Sequence, residues 1–461
     1  MLSTDCSKCV RVTSCEYTSS IMTRTSFLYL ISLIITVAGT LFCVFLCSSH
    51  MDMFNPGFYV NSVSGKTSGA SSPVFSGVVT RTCPDISDTD ELVYAVRDSK
   101  SNCPYWAVLT TIHGPSDAVR LIATNRNWCL VIVADTKTPP RNAYLQGVQA
   151  EENVRFLSLE DQDYLYRALS QVIPREHFGR KNIGYLYAIQ HGAEVIWDFD
   201  DDNLGLIDIQ SKNFKPEFSY VAPCEYPSIP FKCINPYPYF GINESHSWQR
   251  GFALRHIKDQ YMTPKMCNFS DKVDKVNIGV FQSLANIQPD VDAIYRLTRD
   301  VPFNFQATPD SHRPLVVPKG IYVPFNAQAT MWNRNSFKYI PLPISVHGRV
   351  SDIWRSYMAE YFFYKNNIQV AFTPPYVKQD RNPHDNLGDL DAEIDLYRKS
   401  EQLVNVLSRN SSSISLKDLY NELYEREYIE ERDLRFIKVW DVPFCFRRSE
   451  RRTNFSRVLK Y

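Results

Sequence analysis

Residues 179–203 read GRKNIGYLYAIQHGAEVIWDFDDDN, and this stretch joins an amphipathic helix, a buried strand and an acid cluster in direct succession. Apolar side chains recur near helical spacing over residues 183–193, where His191 and Gly192 are suited to close the helix. The short apolar run at residues 195–197 predicts a strand of the buried parallel kind. The order of these segments predicts one unit of an α/β fold that ends in negative charge.

The acid cluster holds four aspartates within five residues: Asp198, Asp200, Asp201 and Asp202. Their mutual repulsion at neutral pH is costly unless a cation or strong solvation relieves it. Carboxylate oxygens suit Mg²⁺ or Mn²⁺, which also take ligands from water and substrate phosphates. A solvated turn or helix cap is the alternative interpretation. The position after a buried strand favours a ligand site, because ligands of α/β sheets bind at the carboxyl ends of the strands.

The segments before this stretch extend the same alternation. A buried strand begins at Trp106, a helix covers residues 117–125, a second strand begins at Cys129, and a helix covers residues 159–172. This pattern predicts a mostly parallel sheet with helices on both faces. Thr110, Thr111 and Asp135 close strands and are therefore expected at the same sheet edge as the acid cluster.

Two later segments bear on the site. Residues 214–261 are rich in aromatic residues and proline, which predicts irregular loops over the binding edge. Trp248, Arg250 and Gly251 are candidates for a place beside the substrate, whereas packing is the favoured role for any single aromatic residue here. Near residue 350 an extended segment enters a helix for which Ser351 or Asp352 is the expected N-cap.

The composition is that of a globular protein, with 461 residues, 44% hydrophobic and 22% charged. Lys plus Arg equals Asp plus Glu at 50 each, so no global basic field favours nucleic acid as a partner.

An uncharged apolar run at residues 27–47 is long enough to span a bilayer as a helix. Lys8, Arg11 and Arg24 precede it, which predicts a cytosolic N-terminus and a lumenal main domain. A cleaved signal peptide is the alternative. The lumenal side would then carry the four N-glycosylation sequons, at Asn243, Asn268, Asn410 and Asn454.

The predicted organisation has five parts: a cytosolic tail at residues 1–26, a signal anchor at 27–47, a stem at 48–101, a catalytic domain at 102–375 and a helical extension at 376–461. The extension is hydrophilic, and charged helices are predicted in it around Asp389 to Leu407 and Leu416 to Phe436. In an oxidising lumen one or two disulfides are expected, with Cys224, Cys233 and Cys267 as candidates and their connectivity open.

Several of these motifs resemble the STELLO glycosyltransferases of plants and their relatives in other eukaryotes, including nematodes. WAVLTTIHGP, WCLVIVADTKTP, VPFNAQATMW and HGRVSDIWRSY are similar to family segments in sequence and order, as is the stretch quoted first. The resemblance covers roughly residues 104–375 and extends distantly to the UDP-arabinopyranose mutases. It implies a GT-A-like fold in a Golgi type II membrane protein that binds a nucleotide sugar.

The resemblance also implies roles for individual residues. Thr110, Thr111 and Asp135 would line the nucleoside pocket, Arg180 and Lys181 would face the diphosphate, Asp201 and Arg349 would contact the nucleotide sugar, and Asp200 and Asp202 would bind Mn²⁺ or Mg²⁺. Asp352 would approach the sugar or acceptor as a catalytic base, with His347 as the alternative.

Two other functions are alternatives to the transfer of a sugar, expected to be UDP-linked, to an unknown glycan or protein acceptor. The first is a non-catalytic Golgi assembly or trafficking factor that keeps the glycosyltransferase fold. The second is a nucleotide-sugar mutase, which would release a rearranged sugar without an acceptor.

Overall fold

A mixed sheet of eleven strands forms the centre of the described part of the chain. The computed structural model describes residues 103–148, 152–205, 220–223, 233–242, 247–259, 266–268, 276–308, 311–409 and 414–445. The predicted tail, anchor and stem lie outside these residues, as do the sequons at Asn243, Asn410 and Asn454. Within them, no helix combines the length and the apolar character needed to cross a bilayer.

The first half of the sheet is parallel, as the sequence predicted. It contains β1 (Tyr105–Thr111), β2 (Cys129–Ala134), β3 (Val154–Leu157) and β4 (Val195–Asp198), arranged in the order β3-β2-β1-β4. β2 and β4 both pair with β1 in parallel, and β3 pairs with β2 in parallel. The carboxyl ends of all four strands therefore meet at one edge.

The second half is mixed and contains strands that the sequence pattern did not predict. Its strands are β5 (Asn203–Gly205), β6 (Val221–Pro223), β7 (Met266–Asn268), β8 (Ile278–Ile287), β9 (Leu315–Val316), β10 (Thr330–Asn333) and β11 (Gln369–Gln379). β10 runs antiparallel between β4 and β8, and β11 pairs with β8 in parallel. β8 and β11 consequently end at the same edge as β1, β2 and β4.

Eleven helices accompany the sheet in the described ranges. They are α1 (Asp117–Ala123), α2 (Arg141–Val148), α3 (Leu159–Leu165), α4 (Arg167–Val172), α5 (Lys181–Gln190), α6 (Ala293–Thr298), α7 (Gly348–Lys365), α8 (Asn386–Ala392), α9 (Ile394–Arg409), α10 (Leu416–Glu425) and α11 (Glu431–Cys445).

Helices cover both faces of the sheet because the strand side chains alternate between two apolar clusters. Val108 and Val131 point into a large cluster that contains α5, α7 and the C-terminal helices α9 to α11. Leu109 and Ile132 point into a second cluster on the other face, which contains side chains of α1 and α2. Because the two clusters bury both faces of the sheet, the sequences of these strands are continuously apolar.

The helix of the opening stretch, α5, lies directly on β1 and β2. A Cβ atom added to Gly184 would come within 2.7 Å of both Val108 and Val133, so the glycine permits the close approach. The helix ends at His191, and Gly192 follows with a φ of 90°, as expected from the sequence.

Two long predicted helices are each divided in two. The helix predicted over residues 159–172 breaks at Tyr166, whose φ of −135° and ψ of 43° lie outside the helical region. The charged helix predicted from Leu416 to Phe436 is interrupted after Glu425, and Glu427 has a φ of 60°. Apolar spacing continues across both breaks, so it could not show them.

The cysteine prediction is wrong for Cys233, which is buried and unpaired. Among the described residues, a disulfide joins Cys103, just before β1, to Cys129, the first residue of β2. These strands are neighbours in the parallel ladder, which places the two Cα atoms 6.2 Å apart.

Candidate functional site

The acid cluster lies at the carboxyl edge of the sheet, where β1, β2 and β4 end side by side. The Thr111 hydroxyl donates a hydrogen bond to Asp201, which joins the end of β1 to the cluster. The Thr110 hydroxyl instead donates to the carbonyl oxygen of Val133 at 2.9 Å. Thr111 is thus the threonine of this pair that touches the acid cluster.

Asp135 follows β2 at the same edge and shapes the adjoining loops. One carboxylate oxygen accepts from the backbone N–H of Thr136 at 2.8 Å, and the other accepts from that of His177 at 3.2 Å. The carboxylate therefore fixes the loop after β2 against the segment that leads into α5.

Asp198 is a structural member of the cluster. Its carboxylate is buried and lies 2.6 Å from the Lys181 ammonium and 3.2 Å from the Arg355 guanidinium. The Tyr185 hydroxyl also donates to it at 2.6 Å. These cations and the hydroxyl come from α5 and α7, so Asp198 is neutralised within the protein.

Asp200 is only partly neutralised. Its carboxylate shares Lys181 with Asp198, at 2.9 Å, and its side chain is 32% exposed. Burial raises the pKa of Asp200 to about 7; the charge of Asp202 adds to the rise and Lys181 opposes it. The group therefore titrates near neutral pH, where a competing cation can displace the proton.

Asp202 connects the cluster to the end of β11. The Gln379 amide donates to its carboxylate at 3.0 Å, and the backbone N–H of Asp380 donates to the Asp202 carbonyl oxygen at 3.2 Å. Burial raises the pKa of Asp202 as well, and the charge of Asp201 raises it further. Asp200 and Asp202 are consequently two neighbouring carboxylates whose ionised forms are disfavoured.

The donor chemistry at Asp200 and Asp202 fits a hard divalent ion, since both offer carboxylate oxygens at a partly open edge. Across the described ranges, no group of three or more His, Cys, Asp or Glu side chains is arranged to hold a metal ion. A metal bound here would therefore take its remaining ligands from water and from substrate oxygens, as Mg²⁺ and Mn²⁺ commonly do.

Arg180, the first residue of the predicted basic pair, lies in the protein interior. Its guanidinium is fully buried and donates to the carbonyl oxygens of Ser170 and Ile173, at 3.1 Å each, and to Gln162. These partners lie in and around α3 and α4, so Arg180 ties those helices to the start of α5.

Lys181, the second residue of the predicted basic pair, contacts the acid cluster. Its ammonium is fully buried, and beside Asp198 and Asp200 it donates to the carbonyl oxygens of Phe199 and Ala327 at 2.9 and 2.8 Å. The lysine is thus an internal counter-ion of the acid cluster.

Asp352 occupies a buried ion pair. Both of its oxygens face the Arg250 guanidinium, at 3.0 and 2.7 Å, and they also accept from the backbone N–H groups of Ile353 and Ala327. These contacts join the loop that holds Arg250 and the segment before β10 to the first turn of α7.

The start of α7 holds the other two predicted residues. His347 is the N-cap of this helix, in place of Ser351 or Asp352, and its ring accepts from the backbone N–H of Arg349 at 3.1 Å. Burial and the charge of Arg349 lower the pKa of His347. The Arg349 guanidinium pairs with Glu393, a buried residue between α8 and α9.

Sequence reasoning missed the contribution of the chain after residue 375. Gln379 contacts the acid cluster, while Arg381 and His384 lie near it and share the carboxylate of Asp389. The available signal was the group of polar residues at the end of the buried strand β11. The same rule, that ligands bind at the carboxyl ends of strands, identified the aspartates after β4.

The class defined by this fold is a mixed α/β protein whose large sheet, covered by helices on both faces, fits a GT-A-like arrangement. Residues 349–443, from the start of α7 into α11, match the family model of the STELLO glycosyltransferases. The probable glycosyltransferases STELLO1 and STELLO2 of Arabidopsis thaliana are each 28% identical to this chain over 73% of its length. The chain is similar to the STELLO glycosyltransferases, and the predicted resemblance is confirmed.

The aligned part covers 43% of STELLO1 and 44% of STELLO2. The chain therefore spans less than half of the length of these curated relatives.

Proposed function

We propose that the chain is a Golgi type II membrane glycosyltransferase that transfers a sugar from a metal-bound nucleotide sugar, UDP-linked in the first instance, to a glycan or protein acceptor. Support for transferase activity comes from the relatives, which are named probable glycosyltransferases. Support for the membrane orientation comes from the apolar run at residues 27–47 and the basic residues that precede it.

One observation carries the proposal: Asp200 and Asp202 lie at the carboxyl edge of the sheet with pKa values that are raised by burial and by neighbouring carboxylates. Sites that favour a bound ligand often hold such perturbed groups. The edge also gathers Thr111 and Asp201, whose hydrogen bond leaves their position fixed before a substrate arrives.

The residues at this edge have distinct roles in the proposal. Asp200 and Asp202 hold Mn²⁺ or Mg²⁺, which when bound neutralises charge on the departing nucleotide diphosphate. Thr110, Thr111, Asp135 and Asp201 border the space for the nucleoside. Lys181 keeps Asp198 and Asp200 in place by pairing with both. Arg250 holds Asp352 and so fixes the start of α7 beside the site.

The proposal predicts that nucleotide sugars stabilise the full chain in a manner that depends on Mn²⁺. A ligand present at 100 times its Kd and bound only by the folded protein adds about 2.7 kcal/mol to the free energy of unfolding. We expect a panel of UDP-sugars to raise the Tm of the detergent-solubilised chain with Mn²⁺, and Asp200→Asn with Asp202→Asn to abolish the rise.

Asp395→Asn is the matched control, because Asp395 lies on α9 in an exposed pair with Lys399. It should leave the ligand-induced rise in Tm unchanged. Absence of stabilisation by every nucleotide sugar would contradict the enzyme proposal. Full function in cells after the double Asn substitution would favour the assembly factor, and a rearranged sugar released without acceptor would favour the mutase.

A further inference from the structure

A cavity of about 300 Å³ lies at the carboxyl ends of β8 and β11. Its charged lining comprises Arg296, Arg299, Asp300, Arg381 and His384, with Gln288 among the polar residues. We call this feature the arginine cavity. None of these residues was assigned a role from the sequence or takes part in the proposed metal site.

The arginine cavity carries an excess of positive charge. Three guanidinium groups line it, whereas Asp300 is its one lining carboxylate. Behind the lining, Asp389 lies 2.5 Å from Arg381 and 3.3 Å from His384, and it also faces Arg349 at 3.8 Å. One carboxylate is thus shared among several cationic or potentially cationic groups.

Arg296 contributes to this excess of positive charge because its hydrogen-bond acceptors are neutral. Its two terminal nitrogens donate to the Gln288 side chain at 2.6 Å and to the Pro289 carbonyl oxygen at 2.9 Å, and both acceptors are uncharged. Its Nε atom is buried without a hydrogen-bond partner. Burial lowers the pKa of Arg296 to about 10, and repulsion from Arg381 contributes. The carboxylates of Asp290 and Asp389 raise this pKa, but neither hydrogen-bond acceptor of Arg296 is charged, and a desolvated cation bonded to neutral acceptors attracts an anion.

The cavity is also adjacent to the proposed metal site. Gln379 donates to Asp202, Arg381 follows two residues later, and the charge of Arg381 opposes the rise in the pKa of Asp202. Negative charge on one side and positive charge on the other would orient a substrate that is itself charged at one end. The volume matches the lower range of small-ligand sites, roughly 300–1,000 Å³.

We propose that the arginine cavity binds the anionic group, a carboxylate or a phosphate monoester, of an acidic sugar that takes part in the reaction. The participation of this sugar in the reaction rests on the proposed function. The binding of an acidic sugar rests on the cavity alone. The acidic sugar can be the donor residue or part of the acceptor, since both would reach the space beside Asp202.

The first experiment measures binding without nucleotide or metal, so that it is independent of the proposed transferase activity. The full chain in detergent is titrated with glucuronate, glucose 6-phosphate and glucose, and binding is followed by ligand-observed NMR. We expect both anions to bind at least about tenfold more tightly than glucose, because hydrogen bonds between a guanidinium and an anion are stronger than those to a neutral hydroxyl. Equal binding of the charged and neutral sugars would overturn the proposal.

Two variants and a control locate the site. Arg296→Gln and Arg299→Gln should each weaken glucuronate binding by about tenfold, and the second keeps the test decisive if the first fails to fold. Arg334→Gln is the control, since Arg334 is exposed and follows β10 at the opposite edge of the sheet. Glucuronate affinity that persists in a folded Arg299→Gln chain would overturn the assignment.

A final comparison identifies the source of the anion and separates this site from the diphosphate. With Mn²⁺ present, a preference for UDP-glucuronate over UDP-glucose that is lost in Arg299→Gln identifies the donor. Binding of glucuronate in the presence of saturating UDP-glucose identifies the acceptor. Displacement of glucuronate by UDP alone, together with weaker UDP binding in Arg299→Gln, would overturn the proposal by assigning the cavity to the diphosphate.

Discussion

The aspartates of the acid cluster are chemically similar but have different surroundings. Asp198 lies between Lys181 and Arg355, and its negative charge is balanced inside the protein. Asp200 shares the same lysine and has Asp202 as a neighbour, so its ionised form remains disfavoured. Asp198 is therefore a structural charge in the interior, whereas Asp200 lies at the sheet edge, where it can bind a cation.

The raised pKa of Asp200 predicts a pH dependence for metal binding. A metal requires the ionised carboxylate, so protons compete with it as the pH falls through about 7. In Mn²⁺ titrations of the full chain with UDP, monitored by electron paramagnetic resonance, the affinity should fall by up to about tenfold per pH unit below pH 7 and level off above it. Asp200→Asn should weaken binding and flatten the profile.

A constant Mn²⁺ affinity between pH 8 and pH 6 in the unsubstituted chain would contradict this prediction. Asp395→Asn serves again as the control, because its carboxylate is exposed and lies on α9. Its affinity profile should match that of the unsubstituted chain.

The positions of site residues were predictable from the sequence where a local rule applied. The partners that these residues contact were not. The position of Asp200 and Asp202 after a buried strand follows from the pattern of one segment. The partners of Lys181 and Asp352 do not, since Lys181 donates to Ala327 and Asp352 pairs with Arg250, over 100 residues away in each case. Arg180 and Lys181 resemble a phosphate-binding pair in sequence, but burial commits both to the protein interior.

Helices and strands whose sequences have a regular pattern of apolar residues were predicted well. α5, β1 and β2 have the expected positions because each carries its apolar pattern without interruption. The short strands β5, β6 and β9 depend on pairing with distant segments, so their sequences contain no comparable signal. In β11, the ladder is interrupted between Thr373 and Val377, at two prolines that read locally as a strand end.

The close packing of α5 on the sheet predicts that Gly184→Ala destabilises the chain. The added Cβ would lie 2.7 Å from the side chains of Val108 and Val133, which are themselves buried. Overpacking of this kind costs about 1–3 kcal/mol, more than the gain of roughly 1 kcal/mol in helix propensity at most positions. Thermal unfolding of the full chain should show a lower Tm.

Gly388→Ala in α8 is the matched control for this substitution. Gly388 is exposed, and the nearest atom to an added Cβ is the Asp385 carboxylate at 3.3 Å, the end of an exposed side chain. We expect its Tm to stay the same or rise slightly. Equal effects of the two substitutions would show that α5 does not depend on the glycine for its packing.

At the scale of the whole molecule, the chain after residue 375 is part of the central fold. The boundary predicted there falls inside β11, and the helices that follow share one apolar cluster with α5 and α7. Polar contacts join the same parts: Glu393 pairs with Arg349, and Asp433 accepts from the backbone N–H groups of Ile344 and Ser345. The sequence looked hydrophilic here because each helix has one exposed face.

This continuity predicts that a chain ending at residue 385 cannot fold. Removal of α8 to α11 would expose Trp354 of α7, which is about 1% exposed in the structure and contacts Ser400 and Tyr428, and would leave Arg349 without Glu393. We expect such a chain to be insoluble or to melt without cooperativity. A cooperative thermal transition in the shortened chain would show that the C-terminal helices form a separate domain.

Within the full chain, Trp440→Ala should lower the free energy of unfolding by about 3–5 kcal/mol, because the side chain is fully buried. Tyr424→Ala, at a 43% exposed position of α10, should change it by under about 0.5 kcal/mol.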